Sequence, residues 1–139
     1  MTLVQFINAI QHICLSQINV RSFGEGDLYA FMANPSLKYS LMYVTQNQHQ
    51  SEGDFDRYNI NLFYMDRNED VDGSNALQIQ SIGKEVIENV LRIFCDQYES
   101  EIYGTIYFQP FIQSHPDLVS GIYATVTLEV PKESICPDY

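Results

Sequence analysis

The side chains best able to do chemistry in this chain are three cysteines, three histidines and eighteen carboxylates. Cys14, Cys95 and Cys136 stand far apart, as do His12, His49 and His115. A thiol beside an imidazole would make an activated nucleophile. Cys95 with His115 is the pairing to consider, and an enzyme would gather His115, Cys95 or Glu85 in a pocket. Cys95, however, lies beside the apolar stripe of a helix, where thiols are usually inert packing. No H-x-x-x-H, H-E-x-x-H or C-x-x-C spacing is present, so zinc is not expected. Asn68-x-Asp70-x-Asp72-Gly73 reads like the first half of a calcium loop. The closing position, where a bidentate Glu should stand, is Ile79, so the segment reads instead as an acidic turn before a helix. Gly24-Glu25-Gly26 lacks a third glycine, and its glutamate would repel phosphate. Glu85, Glu88 and Glu129 read as a solvated face, and there is no G-x-S-x-G elbow. The expectation is a protein that is not an enzyme and has no catalytic, cofactor or metal site.

Behind these residues the elements are well signalled. Thr2 and Gln5 form a capping-box pattern ahead of Leu3, Phe6, Ile7, Ile10, Ile13 and Cys14, which recur at helical spacing to near Gln17. Phe23 to Gly26 reads as a turn, and Asp27 to Asn34 as a short helix stopped by Pro35. Tyr39–Thr45 and Arg57–Asp66 are predicted strands, joined by an acidic segment, Gln46 to Asp56, whose length predicts a projecting loop rather than a tight turn. A long helix is predicted from Asn75 to about Tyr98, capped by Ser74 or Asp72, with Ile79, Ile82, Gly83, Val86, Ile87, Val90, Leu91, Phe94 and Tyr98 on one stripe. Gly83 on that stripe predicts close approach to a strand. Thr105–Phe108 begins a third strand that Pro110 ends or confines to an edge. After a loop over Gln113–Gly121, Ile122–Val130 alternates as a fourth strand, with Ile122, Ala124, Val126, Leu128 and Val130 on one face.

The expected order is α-α-β-β-α-β-β. It predicts an α+β, two-layer domain over residues 1–131, with a mainly antiparallel four-stranded sheet covered on one face by helices. Residues 132–139 read as a tail. The 139 residues include 10 Tyr and 8 Phe, ample for a core. The net charge of −11 argues against nucleic-acid and anionic-lipid ligands. Seven of the acids fall between Glu52 and Asp72. The odd cysteine count, no apolar run near the ~18 residues of a membrane span, and a start (MTLVQFINAIQHIC) without a leader pattern suggest reducing cytosol as the place of synthesis.

Aromatic residues exceed what a two-layer core of this size needs. Tyr58, Phe63, Tyr107, Phe108 and Tyr123 are therefore candidates for packing against other subunits. Asp54, Asp56, Asp70 and Asp72 are candidates for a channel-facing or partner-facing acidic surface.

The leading helix TLVQFINAIQHIC, the hairpin YSLMYVT with RYNINLFYMD, the long helix SNALQIQSIGKEVIENVLRIF, and the closing strands TIYFQPFI and GIYATVTLEVP follow one another in an order that resembles the tail-terminator and tail-completion (neck) proteins of tailed bacteriophages. The last segment is most similar to those of phages infecting Bacteroidales, the crAss-like group included. The resemblance implies a virion structural protein, assembled in the bacterial cytoplasm, that forms a six-fold or twelve-fold homo-oligomeric ring. Such a ring binds the portal or adaptor on one side and tail or other neck proteins on the other. It surrounds a channel through which DNA passes without sequence-specific binding, and it involves no membrane. The alternative from charge alone is an acidic adaptor or immunity-like protein that masks a basic partner.

Overall fold

The computed structural model describes residues 1–27, 38–68, 75–113 and 119–132. Helix α1 spans Leu3–Leu15. Its expected capping box is formed: Thr2 Oγ1 accepts from the Gln5 amide at 3.2 Å, and the Thr2 amide donates to Gln5 Oε1 at 2.9 Å. Helix α2 spans Ala76–Tyr98 and ends on Glu99, a left-handed residue at φ 50°. The seven strands are β1 (Ser22–Glu25), β2 (Leu41–Gln46), β3 (Gln50–Glu52), β4 (Phe55–Arg67), β5 (Glu101–Ile102), β6 (Tyr107–Gln113) and β7 (Val119–Pro131). The expected short helix at 27–34, Asp70, Asp72, His115 and the 133–139 part of the tail fall wholly or almost wholly outside the described residues.

The fold is α+β, but the sheet is larger than the four antiparallel strands expected. It is a mixed seven-stranded sheet with the path β1-β2-β4-β7-β5; β3 pairs with β4 and β6 with β7. Phe23-Gly24-Glu25, read as a turn from its glycine, is part of β1 and pairs in parallel with β2. The glycine pattern marks only the end of that strand: the Gly26 amide still donates to the Val44 carbonyl, and Gly26 then turns away at φ 108°. The expected projecting loop at 46–56 is likewise corrected. β3 turns into β4 through Gly53 and Asp54, with Gly53 at φ 59°. A glycine at that first turn position makes a two-residue hairpin loop compatible with the strand twist. β6 runs through Pro110 rather than stopping there, which is tolerated because β6 is an edge strand. β7 begins at Val119, three residues before the alternation becomes regular.

Both helices lie on one face of the sheet. Ile79, Val86, Ile87, Val90, Leu91 and Phe94 of α2 pack with Phe6, Ile10, Ile13 and Cys14 of α1 over Met42, Val44, Ile60, Leu62, Ala124, Val126, Leu128 and Val130. Gly83 permits the approach. A Cβ there would stand 2.7 Å from Tyr64 Cδ1 and 2.8 Å from Ile122 Cγ2. The opposite face has a smaller apolar cluster at one end: Leu41, Tyr43, Met65 and Val119, with Tyr39, Phe63 and Phe111 against it.

Candidate interaction surface

Beyond that cluster, the face turned away from the helices is built by alternation. Arg57, Asn59, Asn61 and Phe63 of β4 point to it, and the antiparallel register sets them beside Glu129, Thr127, Thr125 and Tyr123 of β7. Thr45 of β2 joins opposite Asn61, and Tyr107 of β6 opposite Thr125. Most of these residues are half-buried, which is what one sheet face open to solvent gives.

The polar groups here satisfy one another. Asn59 Nδ2 donates to Thr127 Oγ1 at 2.7 Å, and Thr125 Oγ1 donates to Asn61 Oδ1 at 2.7 Å. Asn47 Nδ2 donates to both Asn59 Oδ1 (2.7 Å) and Asn61 Oδ1 (3.1 Å), and Asn61 Nδ2 donates to Thr45 Oγ1 at 3.3 Å. At one end of this ladder, Arg57 pairs with Glu129 at 2.9 Å and Glu52 at 2.6 Å and lies over the Tyr103 ring, 3.9 Å from its centroid. At the other end Phe63 stacks on Tyr123 with ring centroids 4.7 Å apart, and Phe111 lies edge-on at 6.1 Å from Phe63. Covering a polar face normally strands its donors and acceptors at a cost of about 1–3 kcal/mol each. A face whose groups already bond to each other escapes most of that cost.

A bulge borders the ladder. Between the pairs Gln46↔Ile60 and Gln50↔Arg57, residues 47–49 face only Tyr58 and Asn59. The Asn47 amide donates to the Asn59 carbonyl at 2.9 Å. The Asn59 amide is met by a side chain, His49 Nδ1, at 3.1 Å. That bond requires a bare Nδ1, so the proton sits on Nε2, which donates to Gln46 Oε1 at 3.0 Å. The ring lies edge-on to Tyr58, and burial lowers its pKa below the usual imidazole value.

The five aromatic candidates divide. Phe63, Tyr123 and Tyr107 lie on the open face, Tyr107 being 69% exposed. Tyr58 is on the helix face at 7% exposure, packed against Phe6, with its hydroxyl donating to the Met1 carbonyl at 2.7 Å. Phe108 also faces the helices and lies under Lys84 Nζ. For these two the alternation sets the side chain toward the core, which outweighs the exposure suggested by an aromatic surplus. Asp54 sits at the β3–β4 turn, where its carbonyl accepts from the Lys132 amide at 2.8 Å; Asp56 accepts from Ser51 Oγ at 2.9 Å. The Asn–Thr ladder and the Arg57 cluster were not singled out by sequence. Alternation showed Asn59, Asn61, Thr125 and Thr127 as polar-face residues, but not which of them face each other.

The nucleophile candidate is poorly activated. Burial, with Asp96 nearby, raises the Cys95 thiol pKa, and burial raises that of Cys14 further. Among the described residues no three His, Cys, Asp or Glu side chains gather as a metal site. No described helix is long and apolar enough to cross a membrane. No protein-family model matches this chain, and no curated protein matches it.

Proposed function

We propose that this protein is a structural subunit that acts by being covered. In this reading it is a ring-forming component of a phage neck or of the head-proximal end of a tail, joining portal or adaptor to tail proteins around the DNA channel. The observation that carries it is the open sheet face: an Asn–Thr ladder whose side chains bond to one another, ending in the Phe63–Tyr123 stack. Such a surface can be dehydrated by a protein neighbour with little loss. The acidic excess supports the same reading, since a channel wall of like sign does not hold DNA. Asp54 and Asp56, with Asp70 and Asp72, are the proposed channel-facing or partner-facing acids.

The test is the particle. Light scattering and negative-stain imaging of the purified chain, alone and mixed with neck partners, are expected to show annular oligomers with six or twelve copies. A species that stays monomeric in both settings overturns the reading. A one-to-one complex with a basic protein that dissociates in salt would replace it with the acidic-adaptor alternative, which the net charge favours.

A further inference from the structure

Strand β3 is lightly held. Its three residues pair with Arg57, Asp56 and Phe55 of β4, and all three are exposed. β2, by contrast, pairs six residues with β4, and its Leu41–Val44 stretch is buried. The side-chain ties of β3 run from Ser51 to Asp56 at 2.9 Å and from Glu52 to Arg57 at 2.6 Å. The Glu52 side chain is 70% exposed, and ion pairs so open to water contribute little.

The bulge before β3 is what pins it. His49 Nδ1 accepts from the Asn59 amide at 3.1 Å, and His49 Nε2 donates to Gln46 Oε1 at 3.0 Å. Gln46 Nε2 in turn donates to Glu25 Oε1 at 2.8 Å. The bonds therefore run from β4 through the bulge and β2 to β1. They require the neutral ring. An imidazolium carries a proton on Nδ1 as well, which sets donor against donor at the Asn59 amide. The ring then has to leave, and the amide loses its partner.

The charged and titratable groups on the neighbouring elements have bonds of their own. Tyr58 of β4 meets the imidazole edge-on and donates its hydroxyl to the Met1 carbonyl. Arg57 of β4 is tied to Glu129 of β7 and Glu52 of β3, and Asp56 of β4 to Ser51. The Met1 amine donates to the Pro131 carbonyl, and Glu25 of β1 accepts from Gln46. Burial is what lowers the His49 pKa. The closed bulge thus resists the proton, and an opened one accepts it.

We infer that the bulge is an acid-opened latch: protonation of His49 releases β3 from β4 while the rest of the sheet stays paired. Below the ordinary imidazole value of 6.5, opening linked to one proton gains up to about tenfold per pH unit. Release also frees Asn47, which bonds Asn59 and Asn61 from the same bulge. It leaves the Phe55–Arg57 stretch of β4 unpaired on that side, an edge able to take another strand. β7 still holds β4 along 13 residue pairs. The latch is independent of the ring reading, since a monomer and a ring subunit would carry it alike.

The experiment is amide hydrogen exchange on the full chain, read residue by residue from neutral pH downward past the ordinary imidazole value, in wild type and His49→Gln. Hydroxide-catalysed exchange slows in proportion to hydroxide, so amides that open without a proton slow with it. In the wild type the Asn59 amide is expected to slow far less, because opening gains what catalysis loses. The amides of Met42 and Val126, inside the sheet, are expected to follow the hydroxide. His49→Gln has no titrating ring, so its Asn59 amide is expected to follow the hydroxide too. Wild-type Asn59 exchange that tracks hydroxide overturns the inference. Met42 and Val126 departing together with Asn59 overturns it as well, since the opening is then global. A departure kept in His49→Gln also overturns it, since the proton then binds another group.

Discussion

His49 is a loop histidine by sequence and a backbone substitute in the structure, since its Nδ1 takes the place of a ladder carbonyl for the Asn59 amide. Its folded pKa lies below the ordinary 6.5 because burial disfavours the imidazolium. The unfolded chain therefore takes up the proton first. The stability this ring contributes is complete above the ordinary value and is lost as pH falls through the folded one. Urea denaturation near neutral pH is expected to show His49→Ala less stable by about 1–3 kcal/mol, the cost of an unmet amide. The gap between variant and wild type is expected to narrow as pH falls below the ordinary imidazole value; an unchanged gap would mean that Nδ1 is not the acceptor. Tyr58 carries the opposite lesson. Read as an interface aromatic, it closes the core, and Tyr58→Phe is expected to cost about 1 kcal/mol through loss of the bond to the Met1 carbonyl. Thermal unfolding measures this, and the oligomeric state is expected not to change.

At the scale of elements, α2 was the most legible part of the chain. Its expected span, Asn75 to about Tyr98, differs from the observed Ala76–Tyr98 by one residue. The 3.6-residue recurrence of apolar side chains is a local property, so no distant contact was needed to read it. The glycine on its stripe was legible for the same reason. Gly83→Ala improves helix propensity by up to ~1 kcal/mol, yet the new methyl meets the Tyr64 ring and Ile122, and overpacking of this kind costs about 1–3 kcal/mol. Net destabilisation is expected in chemical denaturation, and a more stable variant would show that α2 lifts off the sheet easily. Glu99 offers the reverse case. Its left-handed conformation at φ 50° strains a side-chain-bearing residue, so Glu99→Gly is expected to raise stability by about 1 kcal/mol. Strands β1 and β3 escaped reading because they are short, and only a partner strand makes such segments ordered. The polar 46–56 segment carries no alternation to betray that it folds back on β4.

For the molecule as a whole, the proposed ring would have to form against like charge, −11 on every copy. Screening shortens the reach of the repulsion, from about 30 Å at 0.01 M salt to about 10 Å at 0.1 M. Oligomer formation by this chain is accordingly expected to strengthen as salt is raised, as sedimentation velocity in a salt series would measure. Weakening instead would mean that ion pairs hold the copies together. Arg57, tied to Glu129 and Glu52 and stacked on Tyr103, joins β3, β4, β7 and the segment after β5 across one end of the open face. No sequence pattern announces such a cluster, because its members lie up to 77 positions apart (Glu52 to Glu129) and meet only through strand register.

Local chemistry in the chain determined which segments are helices, which long segments are strands, and which side of each long strand is apolar, because these depend on periods of two and 3.6 residues. The distribution of charge along the chain was also fixed there, including the seven acids between Glu52 and Asp72. Strand order, the parallel pairing of β1, the second hairpin, and the pairing of Asn59 with Thr127 and Asn61 with Thr125 were decided only in three dimensions. The physical reason is that sheet hydrogen bonds join residues far apart in the chain. A strand records which face is apolar, but not which strand lies beside it.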